Sequence, residues 1–123
     1  IHDLAEPRDR SDSERFFEVI LNAMKGETET EVVSAIEIAV SKVKRYSAIN
    51  FILTNNGKAY VLNKFQKEYP QYYTMKYLAT ENCVIVSSER LQHFNEEWEA
   101  LGNNKLVVLD ILSRRLQCYS LDL

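Results

Sequence analysis

Long apolar runs are missing from this chain; none approaches the roughly 18 to 20 residues that a bilayer-spanning helix needs. A secretory leader is missing too, since Ile1 is followed at once by His2, Asp3 and Glu6. These two absences lead to the expectation of a cytoplasmic protein with no membrane partner. Glycine (3) and proline (2) are scarce, which argues against long flexible linkers and against a glycine-rich phosphate loop. Histidine is equally scarce. His2 and His93, with Cys83 and Cys118, show none of the close pairs that a zinc site uses, so no metal and no cofactor is expected. An excess of positive charge is also lacking. The formal net charge is -3, so nothing points to nucleic acid or an anionic surface as a partner. The two cysteines lie in apolar runs and read as buried free thiols in a reducing compartment, with one disulfide as the other option.

What is present suits a soluble globular domain. The chain has 123 residues, 46% hydrophobic and 27% charged, enough for one ordinary core without disulfides or metals. It begins with Ile rather than Met, which suggests a processed product or a fragment. Ile1 to Asp9, with Pro7 and alternating charges, reads as an irregular lead-in. Ser11 and Glu14 are then spaced as a capping box. From Asp12 to about Lys25, Phe16, Ile20 and Met24 line one helical stripe, with Phe17 and Leu21 beside it and Gly26 placed to stop it. Thr28 and Glu31 can form a second box. The helix they open, to about Tyr46, buries Val32, Val33, Ile36, Ala39, Val40 and Val43, with Lys42, Lys44 and Arg45 in its last turn.

Beyond that point the period changes to two. Ile49 to Thr54 and Lys58 to Asn63 flank Asn55-Asn56-Gly57, a strong hairpin signal because the central turn residues need positive φ. Tyr72 to Ala79 and Cys83 to Ser88 form a second pair, and the unbroken run Cys83-Val84-Ile85-Val86 predicts a central strand covered on both faces. Phe94 and Trp98 suggest a short helical turn within Leu91 to Leu101. Lys105 to Leu112 and Arg115 to Leu121 make a last hairpin. The expected class is α+β: two helices followed by about six mainly antiparallel strands, with helices on one face of a sheet. The span 1–123 reads as a single domain or a half-domain.

Few residues carry chemistry. The acidic Asp12 falls in the first turn of a helix, where it complements the dipole or, more specifically, holds a ligand's cationic group. Lys64 to Tyr77 interleaves Tyr69, Tyr72, Tyr73 and Tyr77 with Lys64, Lys67 and Lys76. Such a pattern can stack single-stranded nucleic acid, but tyrosines with one wet end at a strand edge fit the acidic net charge better. A Ser-His-Asp set has no supporting motif.

The order of segments does resemble a known family. Arg10-Ser11-Asp12-Ser13-Glu14-Arg15-Phe16-Phe17 resembles the Ser/Thr-Asp-Ser/Thr-Glu helix start of class II glutamine amidotransferases. Asn50 to Lys58 is similar to that family's strand-turn-strand, and Val84-Ile85-Val86-Ser87-Ser88-Glu89-Arg90-Leu91 to its Ser-Glu-x-Leu strand end. Trp98, Leu101-Gly102 and Leu106 to Leu109 resemble the tryptophan and closing strands that follow. The branch most resembled is the small stand-alone amidotransferase-like proteins. Arg90 stands where the family often has Pro, and Gly102 near a common Pro-Gly.

The resemblance implies an αββα Ntn-hydrolase sandwich of which this chain is the C-terminal portion. It implies glutamine as substrate, hydrolysed at its amide with release of ammonia, and Asp12 as the group that binds the glutamine α-amino group. The family's N-terminal cysteine nucleophile, its arginine loop and its Asn-Gly oxyanion pair all precede the segment matched here. Cys83, Cys118 and Asn56-Gly57 do not replace them. No catalytic residue is therefore expected in this chain, which would be catalytically incomplete alone. The missing N-terminal half, or another chain, would be its partner, with a homo-oligomer as a further option. The alternative is a non-catalytic binding or assembly module that keeps the fold.

Overall fold

The computed structural model describes residues 11–66, 73–80, 83–88 and 98–121. The expected lead-in over Ile1–Asp9, Lys67, Tyr69 and Tyr72, and the helical turn expected around Phe94 lie outside them. The chain divides into a helical unit up to Ile49 and a strand unit from Asn50.

Side-chain caps set where the helices begin. Ser11 is extended, and its Oγ accepts from the Glu14 amide at 3.1 Å, opening α1 (Asp12–Ala23). Phe16 and Ile20 are its buried residues, whereas Phe17 and Leu21 are 46% and 49% exposed. Met24, rather than the expected Gly26, caps the helix: its amide closes on the carbonyls of Ile20 and Leu21. Thr28 opens α2 (Glu29–Ser41) with both halves of a capping box, the Glu31 amide donating to Thr28 Oγ1 (3.2 Å) and the Glu31 carboxylate accepting from the Thr28 amide (3.3 Å). α2 buries Val32, Val33, Ala35, Ile36, Ala39 and Val40, and α1 packs against it.

α2 ends at Ser41, short of the Tyr46 expected, so Lys44 and Arg45 follow the helix instead of filling its last turn. The cause is local. Ser41 Oγ donates back to the Ile38 carbonyl (2.6 Å), and the amides of Lys42 and Val43 turn to acceptors three residues back, on Ala39 and Val40. Side-chain bonding of this kind competes with continuation of the helix.

The described part of the strand unit holds β1 (Phe51–Asn55), β2 (Lys58–Asn63), β3 (Lys76–Ala79), β4 (Val84–Ser87), β5 (Glu99–Ala100), β6 (Lys105–Asp110) and β7 (Leu116–Ser120). With the two helices this is an α+β chain, and every strand pair is antiparallel. The strand beyond the six expected is β5, in a stretch read from sequence as helical. One sheet has the order β1-β2-β6-β7 and the other β4-β3-β5. The β1–β2 turn is the one expected: Asn56 and Gly57 have φ of 48° and 74°.

β2 and β6 are the two inner strands of the first sheet, and β2 is buried from Ala59 to Asn63. Its side chains alternate. Val61 and its β6 partner Val107 form a core with Met75 and Leu101, and Tyr77 and Val86 of the second sheet pack against it. Tyr60, Leu62, Leu106 and Val108 lie on the opposite face and are also buried.

Two expectations need correction. The central strand of the second sheet is β3; β4 pairs with β3 alone among the described residues and is only half-buried. An unbroken apolar run shows that a strand is apolar on both faces but not that it has two neighbours. The cysteines are free but exposed. Cys83 sits in the β3–β4 turn, where its amide donates to Thr80 Oγ1 (3.1 Å), and Cys118 lies on β7, a strand exposed along most of its length.

Asparagines join the pieces of the strand unit. Asn63, fully buried, accepts from the Met75 amide at 2.9 Å and donates to the carbonyls of Leu101 and Gly102, each at 3.2 Å. Asn50 accepts from the Lys64 amide (2.9 Å) and donates to the Tyr73 carbonyl (2.8 Å). The Asn103 amide group both accepts from and donates to the Phe65 backbone, at 2.8 Å each way. Together they satisfy the backbone where β2 leaves its sheet and the chain crosses to the second one.

Candidate functional site

Asp12 is the first residue of α1, directly after the Ser11 cap. The Arg15 guanidinium, one turn along, contacts its Oδ1; the Asp12 side chain is 34% exposed and that of Arg15 14%. Glu14 shares the first turn and carries the capped amide. The helix dipole and the guanidinium both favour negative charge on the Asp12 oxygens. A partly exposed carboxylate fixed in this way can accept hydrogen bonds from an ammonium group.

A second place with chemical potential lies entirely within the strand unit. A cleft of about 210 Å³ is lined by Tyr77, Ala100, Leu101, Gly102, Lys105, Val107, Leu116 and Cys118. The hairpin register explains how its polar groups meet. Lys105 pairs with Ser120 and Val107 with Cys118 across β6 and β7, so these side chains share one face of the sheet. Lys105 Nζ donates to Ser120 Oγ at 2.5 Å. Tyr77 pairs with Glu99 across β3 and β5, and its hydroxyl donates to Glu99 Oε2 at 2.5 Å. That bond to a carboxylate, followed by burial and by the negative charges at Glu99 and Cys118, raises the Tyr77 pKa above its ordinary value.

The sequence reading singled out Asp12 and missed this cleft. The register of the last hairpin was a usable signal, because it sets Lys105 beside Ser120; Glu99 gave none, lying in a stretch read as helical. Of the tyrosine-lysine stretch, Tyr77 faces the cleft, Lys76 Nζ donates to the Thr74 carbonyl (3.2 Å), and Lys64 Nζ donates to Asn104 Oδ1 (2.6 Å). These bonds tie both lysines to the protein itself. Among the described residues no group of three or more His, Cys, Asp and Glu could hold a metal ion; His2 and His93 lie outside them.

Comparison of the chain with protein-family models, with curated proteins and with solved structures gives no match.

Proposed function

We propose that this chain is the C-terminal portion of a class II glutamine amidotransferase domain, contributing one wall of the glutamine site through Asp12. The observation that carries the reading is the Asp12 carboxylate at the first position of α1, just after the Ser11 cap, in the motif that resembles the family's. Two antiparallel sheets following two helices are compatible with an αββα Ntn-hydrolase sandwich. In the complete protein a cysteine thiolate would attack the glutamine amide carbon. Ammonia would leave, and water would release glutamate from the thioester. Asp12 would hold the α-ammonium by a charge-assisted hydrogen bond worth about 1.5 to 3 kcal/mol.

The test is Asp12→Ala in the complete parent protein. That energy corresponds to a rise in the glutamine KM of at least about tenfold, with the fold intact by circular dichroism. An unchanged KM removes Asp12 from the site. Hydrolysis of glutamine by residues 1–123 alone is not expected.

A second reading, a non-catalytic binding or assembly module, draws on Phe17 and Leu21, which lie one turn apart on α1 and are about half exposed. The encoded sequence upstream of Ile1 separates the two. A Met-Cys start with an Asn-Gly pair before Ile1 supports the first reading, and a parent lacking them supports the second.

A further inference from the structure

We propose that the cleft between the two sheets of the strand unit binds a small monocarboxylate with an apolar body. The carboxylate would sit on Lys105 Nζ and the body on Leu101, Val107 and Leu116. The inference is independent of the glutamine reading, because none of these residues belongs to the α1 start.

Charge selects the anion. Among the described residues that line the cleft, Lys105 is the one with a charged side chain. Its ammonium has three donors; one goes to Ser120 Oγ, and no carboxylate pairs with it among the described residues. A single ammonium, without a guanidinium fork or a nest of backbone amides, suits one carboxylate better than a phosphate dianion. Glu99, at the far end of the Tyr77 hydrogen bond, disfavours a second negative charge.

Shape selects the body. The volume of about 210 Å³ exceeds the roughly 150 Å³ of a dry cavity that accepts benzene, which leaves room for one ring and a short acid arm. The floor is apolar, and its wall is fixed: the buried Asn63 amide holds the carbonyls of Leu101 and Gly102. Gly102 itself matters. A Cβ there would stand 3.2 Å from Lys105 Cγ, so the lysine stem runs close alongside the backbone and would have to give by a few tenths of an ångström to admit a side chain.

The two exposed thiols provide the test, since Cys118 lines the cleft and Cys83 does not. Phenylacetate is the probe and phenylacetamide its neutral isostere. For a ligand this small an affinity in the millimolar range is expected, so about 20 mM phenylacetate should slow iodoacetamide alkylation of Cys118 by at least about threefold. Cys83, followed by peptide mass spectrometry in the same sample, should be unaffected. Saturable amide shifts at Gly102 and Lys105 in a ¹H–¹⁵N spectrum of the full chain should accompany the protection. Lys105→Gln should abolish both effects, and Leu116→Ala, a change at a partly exposed position, should weaken them. Equal protection by phenylacetamide, or protection that survives Lys105→Gln, overturns the assignment of the carboxylate. The absence of both saturable shifts and protection overturns the site.

Discussion

Arg15 lies one turn along α1 from Asp12, and its guanidinium contacts Asp12 Oδ1. The carboxylate proposed to meet a substrate ammonium thus already has a cation beside it. A carboxylate can accept more than one donor, so contact with the arginine is compatible with a ligand ammonium on the same group. On this view Arg15 is a positioning residue. Its truncation to Gln in the complete parent should raise the glutamine KM about fivefold, less than loss of Asp12 itself. The cost in stability should be at most about 0.5 kcal/mol, as for other pairs on a helix surface. A stability loss with unchanged KM would leave Arg15 a helix-start residue only.

Asn63 is the polar group whose removal should be felt most. Asn63→Leu leaves the Met75 amide and the carbonyls of Leu101 and Gly102 without their side-chain partner in a buried setting. Buried groups left unsatisfied cost about 1 to 3 kcal/mol each, and partial relaxation keeps the sum near 3 kcal/mol. Urea denaturation should show a lower midpoint at constant slope. Asn63→Asp is a sharper probe. It keeps the acceptor for Met75 but turns a charge toward two carbonyls, so its destabilisation should grow as pH rises through the carboxylate range. A pH-independent loss would contradict the donor role.

Tyr77 carries a pH signature. Its hydrogen bond to Glu99, then burial, then the charges of Glu99 and Cys118 raise its pKa from 10.0. A pKa raised in the folded state contributes stability that is fully present below the unfolded value. That contribution is lost as pH rises through the higher folded value. Stability should therefore fall above pH 10.0, and Tyr77→Phe should remove that part of the fall. In ultraviolet difference titration against Tyr77→Phe, the Tyr77 midpoint should lie above 10.0 and drop on Glu99→Gln. A midpoint that ignores Glu99→Gln would remove the hydrogen bond as the main cause.

The local signals for helix starts and for the first turn were legible, whereas the ends of both helices fell earlier than Gly26 and Tyr46 suggested. Ser11 and Thr28 mark both helix starts, and Asn56-Gly57 marks the first hairpin. What depends on distant partners was not. Cys83 to Val86 has the composition of a core strand, yet its position in the sheet is set by β3, which alone pairs with it among the described residues. Glu99–Ala100 is too short to show a period and becomes a strand because Lys76 and Tyr77 supply its partners. Asn63 looks like a polar strand end; its burial follows from segments nearly forty positions away. Asp12 could be singled out because its helix start is a local feature. The cleft could not, because it is assembled from four separate strands and a loop.

The route of the chain between β2 and β6 has a kinetic side. These two strands are neighbours in the first sheet, yet the whole second sheet is inserted between them in sequence. Asn63 closes the excursion by bonding to Leu101, 38 positions away. Closing so long a loop loses chain entropy before the contacts that reward it can form. The β1–β2 hairpin can form early by itself, but β6 and β7 can join it only once the intervening sheet has been brought back. Beyond that hairpin, the strand unit should therefore gain its structure in one late, concerted step. A proteolytic cut inside the excursion should release both sheets together rather than leave the first one standing.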